Sequence, residues 1–393
     1  MATPWIVVRM SGPHVVGGQK VIEPAGAGQP RRGPPAVAPN SEAPGTILSI
    51  QALRFIAALS VVVFHAHLLL SRKLPGHLPN RVDHAFAVGA SGVHIFFVIS
   101  GFVMVYTSSR SRLTPGGFLK RRLIRIYPIY WLVATLYLVA HMLLGHPYNL
   151  SFTKIAGAAL LIPGYSPLVI GPGWTLSYEM YFYLCFTVAL FAGVRAGLIL
   201  LTAFYALGVI AGVWLHPTTP WGNLATNSLL IEFLAGGWLA MSFLRGWAVS
   251  RTVGAALIAG AVCLFGSGFW FPYERIPSVV AWGIPALMLV SGSLAFEADL
   301  KMGLGRRVAK LGDSSYLLYL SLVLVLDLLI ATPIGALNVS EGAAIWLSFP
   351  LSAACVLIAG VGYELVERPI LGALKRLFLA RPSRSAEAAA ALS

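Results

Sequence analysis

The sequence is poor in charged residues. Asp, Glu, Lys and Arg together make up 11% of its 393 residues, whereas soluble proteins carry about 25%. Hydrophobic residues make up 57%, and the mean hydropathy is +0.78. This composition excludes an ordinary soluble domain and indicates an integral membrane protein.

Cysteine is scarce as well, with three residues in the chain. Cys185, Cys263 and Cys355 all fall within apolar stretches and not in loops, which excludes a disulfide framework and predicts buried free thiols. Metal-ligand spacing such as HExxH does not occur in the predicted helices. We therefore expect no metal and no tightly bound cofactor.

What the sequence has in abundance is apolar stretches of about 17 to 25 residues, the length that crosses a bilayer. They predict an all-α fold, a polytopic transmembrane helical bundle of about ten spans. The ten stretches are approximately 48–70, 88–107, 126–145, 174–192, 196–215, 228–245, 252–271, 278–296, 315–334 and 343–364.

The net charge of +14 would suggest a nucleic-acid partner in a soluble protein, but here it reports topology. With the N-terminus inside, 22 of the 28 Lys and Arg fall in cytoplasmic segments and five in outer ones, which favours two cytoplasmic termini. We expect the lipid bilayer, and no nucleic acid, as a partner. The predicted organisation is a disordered cytoplasmic tail (1–45), a membrane domain (46–372) and a basic, then disordered, cytoplasmic tail (373–393).

Two polar residues interrupt the first apolar stretch. Arg54 and His65 are eleven residues apart, about three helical turns, so one helix face carries both with about 16 Å between them along the axis. Ionisable residues at membrane depth usually mark a functional site. The pair suits a reaction whose two substrates arrive from opposite sides of a membrane.

Six strings in the chain resemble the acyltransferase 3 family of bacterial membrane acyltransferases, which modify surface and secreted carbohydrates. The resemblance covers about residues 48 to 370 and implies a multi-pass protein of the bacterial inner membrane. It also implies transfer of an acyl group, commonly acetyl from acetyl-CoA, to an outer sugar hydroxyl. The strings are LRFIAALSVVVFH (53–65), GVHIFFVISGF (92–102), FLKRRLIRIYPIYW (118–131), GWTLSYEMYFY (173–183), LGDSSYLLYL (311–320) and ERP (367–369).

His65 and Glu179 are the predicted catalytic residues. An imidazole titrates near neutrality and can take the proton of a sugar hydroxyl; the alternative is a packing histidine bonded to a backbone carbonyl. His67 points to another side of the helix and is the weaker candidate. Glu179 is expected at a similar depth to His65 and could fix its tautomer, bind sugar hydroxyls, or play a structural role.

The predicted donor site comprises Arg54 and a basic cluster on the third span. Arg54 could bind a phosphate or pantetheine carbonyl of acyl-CoA, or form an ion pair with Glu364. The family string implies that the cluster meets the nucleotide of CoA, since guanidinium groups bind phosphate in a fork geometry; the alternative is a contact with anionic lipid. The cluster consists of Arg121, Arg122 and Arg125.

The second span contributes small residues. Gly92 and Gly101 are expected to pack this span tightly against the first. Ser100 could contact the acyl thioester, whereas a nucleophilic role would require a base within reach.

Other features qualify the resemblance. Glu232 and Asp327 are intramembrane carboxylates that remain functional candidates, and Leu322 stands where the family commonly has a histidine. ERP is expected to end the last helix at the cytoplasmic face. The rival function is a transporter or flippase for a polysaccharide or lipid-linked intermediate. A third possibility is the same enzyme with succinyl-CoA or another acyl thioester as the donor.

Overall fold

A computed structural model describes residues 46–74, 80–145, 148, 150–270, 276–330 and 340–379. The described residues form helices and no strand, in agreement with the predicted all-α class. Nine of the described helical segments are long and apolar enough to span a membrane. The tenth predicted span, 252–271, corresponds to a shorter apolar helix of 16 residues, Arg251–Gly266. The predicted tail 1–45 lies outside the described residues.

Eight α-helices lie in the first half of the described residues. A 3₁₀ turn, Val88–Ser91, joins α2 to α3 without a break, so that the two form one long segment. The helices are α1 (Leu48–Ser71), α2 (Arg81–Ala87), α3 (Gly92–Ser111), α4 (Pro115–Leu143), α5 (Phe152–Ala159), α6 (Gly173–Ala189), α7 (Val194–Leu215) and α8 (Pro220–Ala225).

Seven further α-helices lie in the second half of the part that the structure describes. A π-helical turn, Val279–Gly283, precedes α11, and another, Tyr363–Glu367, follows α14. The helices are α9 (Leu229–Leu244), α10 (Arg251–Gly266), α11 (Ile284–Ser293), α12 (Gly303–Leu311), α13 (Ser315–Ile330), α14 (Glu341–Gly362) and α15 (Arg368–Leu379).

Several helices begin where a side chain satisfies a free backbone N–H group. The Thr114 hydroxyl accepts from the Gly117 N–H at the start of α4, and Ser250 accepts from the Val253 N–H at the start of α10. Asn80 and Asp83 form a reciprocal capping box at the start of α2. Such caps contribute about 1 kcal/mol each, and they set where these helices begin.

Glycines set the contacts of α3. A Cβ at Gly92 would lie 2.3 Å from the Ala57 carbonyl oxygen of α1, so this glycine does allow the predicted close approach to the first span. A Cβ at Gly101 would instead lie 1.9 Å from the Phe233 carbonyl oxygen of α9. The prediction for Gly101 was therefore wrong in its partner, because this face of α3 packs against α9.

The helix α1 packs against α3, α12, α13 and α14. Its apolar face packs against α13 and α14 through a buried cluster that includes Val62, Leu322 and Cys355. Leu322 is fully buried there, so the position where the family commonly has a histidine serves packing in this chain. The predicted buried thiols are found only in part, because Cys185 is half-buried and Cys263 is exposed.

The chain does not end its last span at ERP. The π turn Tyr363–Glu367 leads directly into α15, with Pro369 in the first turn, where a missing N–H is tolerated. The prediction that ERP ends the helix was wrong for that reason. Residues 373–379, predicted as tail, belong to α15, and 380–393 lie outside the described residues.

Candidate functional site

Five of the seven predicted site residues line one pocket. This arginine pocket lies where α1, α3, α4, α6 and α13 meet, near the beginning of α1. Its polar lining consists of Arg54, Ser100, Arg122, Arg125, Thr175, Glu179, Ser315, Tyr316 and Tyr319. The remaining two predicted residues, Arg121 and His65, do not line it.

Arg122 and Arg121 are adjacent in sequence but differ in environment. The Arg122 guanidinium lies 5.4 Å from the ring centre of Phe118 and 5.3 Å from that of Tyr183. Its Nη2 donates to the Thr107 hydroxyl at 3.4 Å. Arg121 is exposed, because one residue along a helix turns the side chain by about 100°.

Arg54 is held by a chain of hydrogen bonds. Its Nη1 donates to Gln51 Oε1 at 2.9 Å, and Gln51 Nε2 donates to Asp313 Oδ1 at 2.8 Å. The alternative ion pair with Glu364 is wrong, because Glu364 accepts from Arg368 at 2.5 Å on an exposed surface. The guanidinium of Arg54 is therefore oriented by the Gln51 amide, which Asp313 in turn holds in place, and it lines the arginine pocket.

Glu179 contacts other residues than His65. Its Oε1 accepts from the Ser100 hydroxyl at 2.9 Å and from the Tyr183 hydroxyl. The predicted pairing with His65 is not formed, because His65 bonds within its own helix and Glu179 faces α3. Ser100 thus has a carboxylate within hydrogen-bond reach, on the same pocket as the three arginines.

His65 lines a second cavity, the histidine cavity, which lies towards the end of α1. Its Nδ1 donates to the Val61 carbonyl at 2.8 Å, the contact that the packing alternative predicts. The ring nevertheless lines an open space, and Nε2 is the nitrogen left to meet a ligand. The cavity is bordered by Arg72, His94, Trp174, Trp282 and Tyr319, among others.

The two cavities adjoin. Val93 and Tyr319 line both the arginine pocket and the histidine cavity. The Tyr319 hydroxyl is fixed by a 3.0 Å hydrogen bond to Thr175. Two side chains therefore stand between a space lined by three guanidinium groups and a space lined by the His65 imidazole.

His67 has a structural environment. Its Nε2 lies 2.9 Å from Asp83 Oδ1 and 3.1 Å from the Ser71 hydroxyl, and its ring stacks on Phe86 at 3.9 Å. These contacts fasten α2 to the end of α1. The structure thus agrees with its ranking as the weaker candidate.

Sequence reasoning missed a buried imidazole-carboxylate pair. His94 Nδ1 lies 2.6 Å from Glu232 Oε1, with side-chain exposures of 6% and 2%. The sequence indicates Glu232 as an intramembrane carboxylate and a functional candidate, but it does not predict that His94 is its partner. The signal was present in GVHIFFVISGF, whose histidine is polar on an otherwise apolar face. Asp327, the other flagged carboxylate, accepts from the Tyr137 hydroxyl at 3.1 Å.

Comparison with known proteins now settles the family. A model of the acyltransferase 3 family, described as an acyltransferase domain, matches residues 47–364. The chain belongs to the acyltransferase 3 family. It is an acyltransferase with multiple membrane-spanning helices, and the residues that line both cavities all lie within the matched range.

Two relatives of this acyltransferase match over most of their length. The exopolysaccharide production protein ExoZ of Rhizobium meliloti is 31% identical over 329 residues, which cover 79% of this chain and 99% of ExoZ. Acyltransferase MdmB of Streptomyces mycarofaciens is 25% identical over 373 residues, which cover 84% of this chain and 92% of MdmB. No solved structure shows a significant match.

Proposed function

We propose that this acyltransferase moves an acetyl group from acetyl-CoA to a hydroxyl of an extracytoplasmic carbohydrate. The observation that carries the proposal is the pair of adjoining cavities, one lined by Arg54, Arg122 and Arg125 and the other by His65. Anion-binding groups and a base are both needed for transfer from a phosphorylated thioester to an alcohol. Here they lie on either side of Val93 and Tyr319.

The arginine pocket suits the donor. Three guanidinium groups converge on a space that also contains hydroxyl groups and one carboxylate. Coenzyme A carries phosphates, and guanidinium groups bind phosphate oxygens through paired N–H donors. Burial strengthens such contacts because water competes less. The thioester would then extend past Val93 and Tyr319 towards the histidine cavity.

His65 suits the general base. Because Nδ1 donates to the Val61 carbonyl, the neutral ring presents Nε2 as an acceptor. The acceptor hydroxyl gives its proton to Nε2 as its oxygen bonds to the thioester carbonyl carbon. The C–S bond then breaks, and the imidazolium returns the proton to the sulfur of CoA. The reaction leaves an ester and free CoA.

Glu179 and Ser100 suit a supporting role on the donor side. Glu179 lies with Arg122 and Arg125 on the same pocket, where its charge partly offsets theirs. The Ser100 hydroxyl, which donates to Glu179 at 2.9 Å, would be held in place beside the pantetheine chain. In this proposal transfer is direct, and Ser100 is not acylated.

The carbohydrate acceptor and the membrane orientation rest on other observations. ExoZ is named for exopolysaccharide production, which supports a glycan acceptor. The excess of Lys and Arg in segments at the Arg122 end of the helices supports a cytoplasmic location for that end. We place the protein in the bacterial inner membrane, with the donor entering from the cytoplasm.

Transfer of label tests the proposal. Purified protein in detergent receives acetyl-CoA labelled in the acetyl group, together with polysaccharide from cells that carry the gene, stripped of its esters by mild alkali. We expect label in the polysaccharide and release of CoA. A transporter or flippase, the rival function, would leave acetyl-CoA intact, and that result would overturn the proposal.

Two variants are measured in this assay, one that removes the proposed base and one that serves as its control. His65→Ala should lose about 10²- to 10⁴-fold in rate, the usual contribution of a general base. His216→Asn is the matched control, because His216 is exposed at the end of α7 and lines neither cavity. It should transfer label at the rate of the unaltered protein.

A further inference from the structure

The histidine cavity contains two imidazoles, and only one has been given a role. His94 lines the same cavity as His65 and follows Val93, one of the two residues between the cavities. Its ring packs edge-on against Trp282, with centroids 5.2 Å apart. His94 is therefore fixed in orientation at the point where the thioester would meet the acceptor.

The Glu232 partner decides what His94 presents to the cavity. Glu232 Oε1 and His94 Nδ1 lie 2.6 Å apart and share one proton in a hydrogen bond. The other carboxyl oxygen of Glu232, Oε2, is buried without a partner among the described residues. An uncompensated charge is costly in such a place, so the pair is net neutral. Either an imidazolium faces a carboxylate, or a neutral imidazole faces a carboxylic acid.

Both net-neutral states give the same outward face. In the ion pair, both ring nitrogens carry a proton. With a carboxylic acid protonated on Oε1, that proton points at Nδ1 and the ring proton sits on Nε2. A proton on Oε2 would be a buried donor without an acceptor among the described residues, which is costly. His94 therefore offers Nε2–H as a donor, whereas His65 offers Nε2 as an acceptor, because Val61 holds its Nδ1 proton.

The fold makes room for this pair. A Cβ at Gly283 would lie 2.6 Å from Glu232 Oε1, so the carboxylate is accommodated only because α11 is preceded by glycine. Glu232 pairs with His94 on α3. Apolar side chains would fill the same space at less electrostatic cost. What the pair adds is the His94 Nε2–H group, a donor that faces the histidine cavity.

We propose that His94 is the oxyanion donor of the transfer reaction, held in its donor form by Glu232. This inference rests on the proposed function. When the acceptor oxygen bonds to the thioester carbon, the electron pair of the C=O bond moves to the carbonyl oxygen. His94 Nε2–H stabilises that charge until the C–S bond breaks. His65 takes the hydroxyl proton in the same step and returns it to sulfur.

Three variants of His94 and Glu232 test the inference in the labelled-transfer assay. His94→Leu removes the donor and should lower kcat about 10²- to 10³-fold, the usual cost of one oxyanion donor. His94→Gln places an amide N–H near the position of Nε2 and should recover at least tenfold of that loss. The double variant His94→Leu with Glu232→Gln avoids an unpaired buried carboxylate and should match His94→Leu.

Binding and pH readouts separate this role from others. The Kd for acetyl-CoA and the KM for the de-esterified polysaccharide should stay within threefold of their original values in all three variants. The pH profile of kcat should be unchanged in His94→Gln, because His94 stays a donor in both of its net-neutral states and therefore adds no pH dependence that the amide could remove. A purely structural role would move Kd and KM together.

Several results would overturn the inference while leaving the proposed function intact. In each of them the unaltered protein transfers label. One is a kcat within threefold of the original in the double variant. Another is a His94→Gln rate as low as that of His94→Leu, which would make His94 a base. A third is a raised acceptor KM with unchanged kcat, which would make His94 a sugar-binding residue.

Discussion

Replacing Arg122 tests the assignment of the arginine pocket to the donor. Its guanidinium lies over the rings of Phe118 and Tyr183 at 5.4 and 5.3 Å and lines the pocket. Arg122→Ala removes the charge from a position that the two rings hold ready for an anion. Arg121→Ala, one residue earlier, removes an exposed charge of the same sign and is the matched control.

The expected size of the effect follows from the hydrogen bonds that the Arg122 guanidinium would donate to a phosphate. A hydrogen bond to a charged group contributes about 1.5–3 kcal/mol, and each 1.4 kcal/mol is tenfold in affinity. Arg122→Ala should therefore raise the Kd for acetyl-CoA by about 10- to 150-fold. Arg54 and Arg125 still line the pocket, so binding should weaken and not vanish. Arg122→Lys keeps the charge but loses the paired N–H donors of the guanidinium. Its Kd for acetyl-CoA should fall between those of the unaltered protein and Arg122→Ala.

Isothermal titration of acetyl-CoA into purified protein measures these affinities. Each variant is first checked for a single symmetric peak in size-exclusion chromatography and for its melting temperature. We expect Arg121→Ala to bind within twofold of the unaltered protein. If Arg122→Ala also binds within twofold, or if Arg121→Ala weakens binding as much, the pocket is not where the donor phosphates bind.

Three further variants probe the base, the serine and the helix packing. His65→Ala should abolish most of the label transfer but leave the Kd for acetyl-CoA unchanged, because His65 lines only the neighbouring cavity. Ser100→Ala should lose one hydrogen bond to a charged group, about 1.5–3 kcal/mol. It should keep roughly a hundredth or more of the rate, with no acylated peptide in mass spectra. Gly101→Ala should lower the melting temperature by several degrees, since its Cβ would lie 1.9 Å from a carbonyl oxygen of α9. Gly116→Ala is the control: its Cβ would meet open space, and the melting temperature should not change.

Each of these has a contrary outcome. Weakened donor binding in His65→Ala would place the donor in the histidine cavity. Complete inactivity of Ser100→Ala, with an acyl adduct on Ser100 in the unaltered protein, would show a covalent intermediate. An unchanged melting temperature for Gly101→Ala would mean that α3 and α9 do not pack as closely as described.

The fold could be predicted from the sequence because bilayer thickness fixes the length of an apolar helix. Nine predicted spans correspond to long apolar helices among the described residues. The stretch 252–271 differed in length, since α10 ends at Gly266 and a 3₁₀ turn, Ser267–Phe269, follows it. Hydropathy averages over a window and does not register such a change of helix type.

The members of the candidate site were largely predictable, whereas their contacts were not. The matching strings predicted Arg54, Arg122 and Ser100 for the donor site, and the structure brings them to one pocket. Depth in the membrane suggested that Glu179 meets His65, but depth says nothing about how each helix is rotated. The rotation of α6 directs Glu179 towards Ser100 instead.

Long-range pairs were beyond the reach of the sequence. His94 and Glu232 are 138 residues apart and meet because α3 packs against α9. The apolar patterns of the two helices are too uniform to indicate which faces touch. Likewise, the difference between Arg121 and Arg122 depends on the rings of Phe118 and Tyr183, and the second of these lies on another helix.

A transfer assay with the substrates on opposite sides of a membrane tests the central claim most directly. Protein of known orientation in sealed liposomes receives labelled acetyl-CoA on the side of Arg122 and de-esterified polysaccharide on the side of Arg72. The account predicts labelled polysaccharide in this arrangement, and loss of the signal in His65→Ala. Label that appears only when both substrates are on the same side would contradict a route that joins the arginine pocket to the histidine cavity.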